Sequence, residues 1–443
     1  MEVNTKLNGI LNNLIKSSYV FDTDIAKLSE IVQLTSGNNE NLIESSIIDK
    51  ILNYKLDTAR STEDERLFRG LLLVVRNVAS ELDSEYMKVC IDSFHHVDQL
   101  LETNWIYKIK QVYWETLANF KRINGSMDQI NDLFGWINFD NNNQFIKPII
   151  HFLFRQLSTL DPEITNENLL KVLKLKNNNN ILTFIQYTYQ HLNFEVIDHD
   201  AKLFIHLLYD LITHESFENW INNQSPRVIT DWLELTYSEL QTKDEWNNYE
   251  LVALISTNLS IFNKFSTQLT TVNDTEIERI IVVNLDIFSY ISKYDIFIQY
   301  LKNETDSKFL NNLIKTFKII HENIKPVTIK DKIAEIKYPN AKLNIVLILS
   351  YLTHDNIKIQ EKIRELGGLA LVLSNCSIDN NNPFIKEYSI LCLKYLLNKN
   401  PENQKFVAEL EAKKTLDDDV LNEVGYEVEI IDGKVAMKKK VDK

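Results

Sequence analysis

Glycine is nearly missing from this chain. Nine occur in 443 residues, and none between Gly135 and Gly367. A doubly wound α/β enzyme needs glycine at its phosphate-binding turns, and a β-sandwich needs it at its hairpins. A helical protein needs very little, and seven prolines leave room for long helices. Basic charge is also short: 48 Lys and Arg stand against 62 Asp and Glu, a net charge of −14. Duplex binding draws most of its affinity from neutralised phosphates, so nucleic acid is not the expected partner, and neither is an anionic membrane surface. No apolar run reaches the length of about 18 residues that reads as a membrane span. The first residues, "MEVNTKLNGILNNLIKSSYV", lack a basic region followed by an unbroken apolar core, so no secretory signal is expected. Three cysteines (Cys90, Cys376, Cys392) are too few and too scattered for a disulfide framework, which suits a reducing, cytoplasmic setting. Motifs for a nucleophile elbow, a zinc protease, a P-loop or a dinucleotide fold are missing, so no enzyme is expected.

What the chain has in abundance is helical periodicity. "LFRGLLLVVRNVASEL" (67–82) is apolar over most of a helix surface, as for a helix with neighbours on several sides. The segments 201–223 and 277–301 repeat the pattern, and polar breaks rich in asparagine separate them. Helix follows helix until "YEVEIIDGKVAMK", which reads as a hairpin turning at Asp432-Gly433.

An internal repeat decides between bundles and a solenoid. "NIVLILSYLTHDNIKIQEKIREL", from Asn344, aligns with "YSILCLKYLLNKNPENQKFVAEL", from Tyr388, at an offset of 44 residues (388 minus 344). Leu349 matches Leu393, Tyr351 matches Tyr395, Asn356 matches Asn400 and Gln360 matches Gln404. The offset lies within the armadillo and HEAT period. Each copy reads as a long apolar helix, a turn with an Asn N-cap, and a short second helix, with Pro401 at the first helical position of the second copy. Asn382-Pro383 reads as another helix start, and Gly367-Gly368 as the stop of the preceding short helix. The expected fold is an all-α, armadillo/HEAT-like α-solenoid, a right-handed superhelix, with a short C-terminal hairpin. Its expected divisions are a helical array over 1–330, further armadillo-like repeats over 331–415, and a tail over 416–443.

The stretch "IRELGGLALVLSNCSIDNNNPFIKEYSILCLKYLLNKNPENQKFVAEL" resembles the C-terminal domain of the ataxin-10 family, above all in "RELGG", "NCSIDNNNPFIKE" and "NPENQ". The end, "VLNEVGYEVEIIDGKVAMK", is similar to the family's tail, and "LFRGLLLVVRNVAS" is similar to an armadillo third helix. The resemblance implies a cytoplasmic armadillo-like protein without catalytic activity, linked to cytokinesis. Its fungal members, which this chain resembles, also carry the name copper transport protein.

Copper favours Cys-x-x-Cys, Met-x-Met or clustered His. Cys376 and Cys392 have no partner motif, and His95 and His96 point about 100° apart on a helix. His199, Asp200, His206 and His214 share a face but spread over about 22 Å of helix, too far for one ion. No bound metal and no cofactor are therefore expected. Protein binding remains, through a superhelical surface. In peptide-binding armadillo proteins an Asn of the third helix bonds the ligand backbone, and a Trp one turn earlier packs against it. Here the Asn position reads Tyr351 and Tyr395, the Trp position reads Leu347 and Leu391, and only Asn77 keeps the asparagine. The candidate partner-contact residues are Asn77, Tyr351 and Tyr395, with Asp379, Asn380 and Lys386 in and beside the "CSIDNNNPF" loop. Cap chemistry and helix packing are the competing readings of the same residues. The expected function is a non-enzymatic protein-interaction scaffold. An importin-like transport adaptor and an indirect, metal-free role in copper homeostasis stand beside it.

Overall fold

The computed structural model describes residues 2–37, 42–120, 127–135, 146–175, 179–191, 199–269, 275–303, 308–327, 338–413, 426–431 and 434–439. Its contacts cluster into two units, Met1–Leu211 and Ile212–Lys443. The division expected near residue 330 falls inside the second unit, in a stretch outside the described residues. The Asp432-Gly433 turn and most of the asparagine-rich segments 138–144 and 176–180 also lie outside the described residues.

In the first unit α1 (Phe21–Thr35), α2 (Thr62–Val78), α3 (Asn104–Asn119) and α4 (Ile146–Leu157) lie side by side in chain order, each packed on the one before. The start of α2 is fixed by a capping box. Ser61 Oγ accepts from Asp64 N, and the Asp64 carboxylate accepts from Ser61 N. Thr103 caps α3 in the simpler way, accepting from Ile106 N at 3.0 Å. Gly70 is one of the few glycines with a packing duty: a Cβ there would lie 2.4 Å from Leu28 Cδ2, so its absence lets α2 approach α1. The core is aromatic, with Trp114 of α3 edge-on to Phe94, Phe134 and Phe152.

The second unit has two rows. One holds α5 (Pro226–Thr242), α7 (Thr275–Ile291), α9 (Ala341–Thr353) and α12 (Ile385–Leu397), again neighbour on neighbour. Behind it run α6 (Asn248–Ser266), α8 (Lys308–Asn323) and α11 (Gly368–Ser374), while α10 (Ile357–Glu365) packs on α13 (Pro401–Lys413). Each unit is thus a stack of helix groups in which a group packs mainly on its neighbours, an armadillo-like α-solenoid.

The expected repeat holds down to the backbone. Helices α9 and α12 begin and end 44 positions apart (341 and 385, 353 and 397). Asn340 and Phe384, the residues before them, are both left-handed (φ 58° and 67°), as are Asp355 and Lys399 after them (49° and 55°). Asn356 and Asn400 cap the following short helices through Ile359 N and Asn403 N, as their position in the repeat predicts. Gln360 Nε2 donates to Thr353 O, and Gln404 Nε2 makes the equivalent bond to Leu397 O. Leu393 and Cys392 are fully buried.

Two expectations need correcting. Gly367 is the left-handed stop (φ 82°), with its N–H on Arg364 O, but Gly368 opens the next helix instead of closing the last. A Cβ at Gly368 would come within 2.6 Å of Ile314 Cδ1, so the residue serves close approach. Asn382 does not cap the helix that follows it. Its Oδ1 accepts from Lys342 N (3.0 Å) and Leu343 N (3.3 Å), the first amides of α9 in the preceding repeat. Asn340, left-handed at that helix start, makes no side-chain cap, so the orphan amides are satisfied across the repeat boundary.

At the end of the chain β1 (Tyr426–Ile431) and β2 (Lys434–Lys439) pair antiparallel, Ile431 opposite Lys434, and β2 runs against α13. An isolated two-stranded hairpin is marginal, and packing on the last repeat supplies what it lacks.

Candidate functional site

Along α9 Leu347 and Tyr351, with His354 just past its end, fall at helical spacing on one outward face, and Tyr388, Leu391 and Tyr395 repeat that face on α12. Leu347, Tyr351, His354, Tyr388, Leu391 and Tyr395 line a groove of about 530 Å³, closed at its far side by Lys293, Asp295 and Ile298, while Asn344 lies buried outside it. Its floor is apolar and partly open: Tyr351 is 43% exposed and Leu391 36%. His354 stands edge-on to Tyr395, ring centroids 4.9 Å apart. The two tyrosines singled out by the repeat therefore meet in one groove. Phe384, 69% exposed, continues the apolar line one turn before Tyr388.

Beside the groove, Asn344 Nδ2 donates to Asp286 Oδ1 of α7 at 2.6 Å. Burial pushes the Asp286 carboxyl up to about 6, against the pull of that hydrogen bond. Tyr237 of α5 is also raised, first by burial and then by the negative charge on Asp286. Lys293 places its ammonium 3.8 Å from the Tyr290 ring. The ladder face of α5, α7, α9 and α12 is thus aromatic, with the partly buried Asp286 near its middle.

The "CSIDNNNPF" loop is built differently. Asp379 is buried: Oδ1 accepts from Val327 N and Asn381 N, both at 3.0 Å, and Oδ2 accepts from Asn382 Nδ2 at 2.8 Å. Lys342, with a fully buried side chain, donates to Ile324 O at 2.8 Å and lies 3.5 Å from Asp379 Oδ2. Desolvation lowers the Lys342 pKa, partly offset by Asp379. Asn380 donates its backbone N–H to Val327 O at 2.7 Å and leaves its side chain exposed, and Lys386 is half-buried at the start of α12. Of the loop candidates, only Asn380 presents itself fully to solvent; Asp379 faces inward and holds the loop to the chain before α9.

In the first unit Asn77 lines a separate cleft of about 660 Å³ with Arg76, Glu115, Lys147, His151 and Asp200. Its amide donates to Val32 O and Thr35 Oγ1, both at 3.1 Å, while its oxygen accepts from Arg76. The pattern recurs along the row. Asn119 Nδ2 donates to Arg76 O, and Arg155 donates to Asn119 O at 2.9 Å. Each helix end is closed by a side chain of the next helix, which supplies carbonyls left over by helix geometry with donors.

Within the first unit His199 lies near His151, their ring centroids 5.7 Å apart. Asp200 pairs with His151 Nε2 at 2.5 Å and with Lys147, His206 packs near Phe154, and His214 Nδ1 accepts from Ser216 N. Among the described residues no three His, Cys, Asp or Glu side chains converge on a metal position. All three cysteines are buried, and burial pushes the Cys392 thiol up to about 12 and raises the Cys90 thiol as well. Such thiols are poor nucleophiles and poor soft-metal ligands.

The sequence pattern of the Spinocerebellar ataxia type 10 protein domain matches residues 341–438. The ataxin-10 homolog of Candida albicans is 46% identical over 463 aligned positions, spanning 99% of this chain and 99% of that protein. The chain belongs to the ataxin-10 family. The Debaryomyces hansenii ataxin-10 homolog is 32% identical across 84% of this chain and 80% of its own. Among solved structures, the crystal structure of Kap121p overlays 92% of this chain and 50% of its own at 11% identity and a TM-score of 0.30. The solenoid assignment rests on the rows of helices in each unit and not on that overlay. The matched ataxin-10 domain begins at α9, so it takes in Lys342, Asp379, Tyr351 and Tyr395. Asp286 lies outside it, and sequence reading passed over both Asp286 and Lys342. Each sits inside an apolar helical run ("VVNLDIFSY", "AKLNIVLILS"), and a charge interrupting such a run was the available signal.

Proposed function

We propose that this ataxin-10 family chain is a non-enzymatic protein-interaction scaffold that works in the cytoplasm in the regulation of cytokinesis. The observation that carries the scaffold reading is the groove of Leu347, Tyr351, Tyr388, Leu391 and Tyr395 on the α9 and α12 faces. Tyrosine offers a large apolar body with a polar tip, the residue type favoured in the buried centre of protein interfaces. A stretch of exposed apolar side chains repeated at the same positions of two helices suits a partner better than it suits solvent. The cytokinesis assignment is supported by the family resemblance.

The test is affinity purification of the tagged full chain beside a Tyr351→Ala/Leu391→Ser variant, read by quantitative mass spectrometry. The expected result is that proteins of the division machinery accompany the parent and drop at least about tenfold with the variant. An unchanged set of partners would refute the groove, and a set without division proteins would refute the cytokinesis assignment.

A further inference from the structure

Several charges on the ladder face of the second unit have a partner nearby. Arg279 pairs with Glu234 through its Nε at 2.6 Å, and Asp231 lies in the field of Arg227 and Arg279. Lys293 sits over the Tyr290 ring. Asp286 stands among the less matched: its carboxylate has one hydrogen bond, from Asn344, and no salt bridge among the described residues reaches it. A carboxylate partly withdrawn from water without a counter-ion is costly to hold. It lies about two turns of helix from the groove residue Tyr351, because Asn344, which bonds it, precedes Tyr351 by seven residues on the same face of α9.

We propose that this face docks a segment of a partner protein that carries an arginine, whose guanidinium pairs with Asp286 while apolar side chains fill the Leu347–Tyr351–Leu391–Tyr395 groove. The inference rests on the scaffold reading above and adds the chemistry of the partner. Arginine fits better than lysine because its planar fork pairs with a carboxylate and stacks on a nearby tyrosine ring, here Tyr237, which lies in the field of Asp286. The geometry also sets a spacing. Seven residues of helix separate Asn344 from Tyr351, about 10 Å, which an extended segment covers in about three residues and a helical one in two turns. The partner motif is therefore an arginine followed or preceded at that distance by leucine or an aromatic residue.

The probe is a random-peptide display library selected on the full chain, followed by titration of the selected synthetic peptides. Expected is enrichment of arginine at the stated distance from an apolar anchor, with affinity falling about tenfold or more on Asp286→Asn. Replacing the peptide arginine by citrulline, which keeps the shape and removes the charge, should weaken binding to the parent equally and add little on Asp286→Asn. Because that arm alters only the peptide, it holds even where the protein variant folds poorly. Peptides that weaken on Tyr351→Ala but bind parent and Asp286→Asn alike would overturn the arginine contact and leave the groove standing. Peptides insensitive to both substitutions would overturn the docking face itself.

Discussion

Replacing Asp379 by alanine tests how the C-terminal repeats are held together. The carboxylate accepts three hydrogen bonds, two from backbone amides and one from Asn382, and it faces the ammonium of Lys342. Removing it leaves Lys342 fully buried with the Ile324 carbonyl as its remaining partner. Breaking a buried pair by deleting one member costs about 3–5 kcal/mol, more than the pair itself contributes, because the survivor is an uncompensated charge. Asp379→Asn keeps an acceptor for Val327 and Asn381 but can turn an amide donor toward Lys342, so a smaller loss of about 2 kcal/mol is expected. In the double variant Lys342→Met/Asp379→Asn the stranded charge is gone, and about 1–3 kcal/mol of the summed single losses should return as coupling. Native-state hydrogen exchange suits the question, since it reads the Val327 and Asn381 amides directly within a chain of two units that need not unfold together. If Asp379→Ala leaves exchange of those amides and the melting profile unchanged, or the double variant shows no coupling, the buried-pair reasoning is refuted.

Three further outcomes follow from the structure. Leu393→Asp puts a carboxylate into the packed face of α12, where Leu393 is fully buried, and should cost at least about 4 kcal/mol; a melt like the parent's would misplace that helix face. Asp286 is raised to about 6 in the fold, against about 3.9 in the unfolded chain, so the folded state holds the extra proton between those values and stability declines as pH rises through them. Asn344 and Tyr237, which face it from α9 and α5, do not titrate in that window, so Asp286→Asn should gain up to about 3 kcal/mol at pH 7 and nothing below about pH 4 in urea titrations. Gly367→Ala meets open space but a left-handed backbone and should cost about 1–2 kcal/mol, with Gly367→Asn recovering part of it, whereas equal losses for both would argue against the left-handed stop.

The sequence made the repeat legible because its marks are local: helical spacing of apolar residues, an asparagine before a short helix, a glycine at a stop. Those features identified Asn356 and Asn400 as caps and put Tyr351 and Tyr395 at equivalent positions of α9 and α12. What failed were interactions between repeats. Asn382 reads locally as the cap of its own helix, and only the packing of neighbouring repeats reveals that the helix it serves is α9. Asp379 and Asn77 read as available polar groups, yet both bond to backbone more than 40 positions away: Asp379 to Val327 (379 minus 327), Asn77 to Val32 (77 minus 32). Asp286 escaped notice because an acid in a helix is usually solvated, and its shielding comes from α5 and α9.

The cap that Asn382 lends to α9 ties the final two repeats together across their boundary. A protease cut or a frameshift after α10 would strip the first turn of α9 of its acceptor and leave Lys342 stranded, unravelling residues well upstream of the lesion. Damage at the tail of this chain should accordingly propagate backwards by a full repeat.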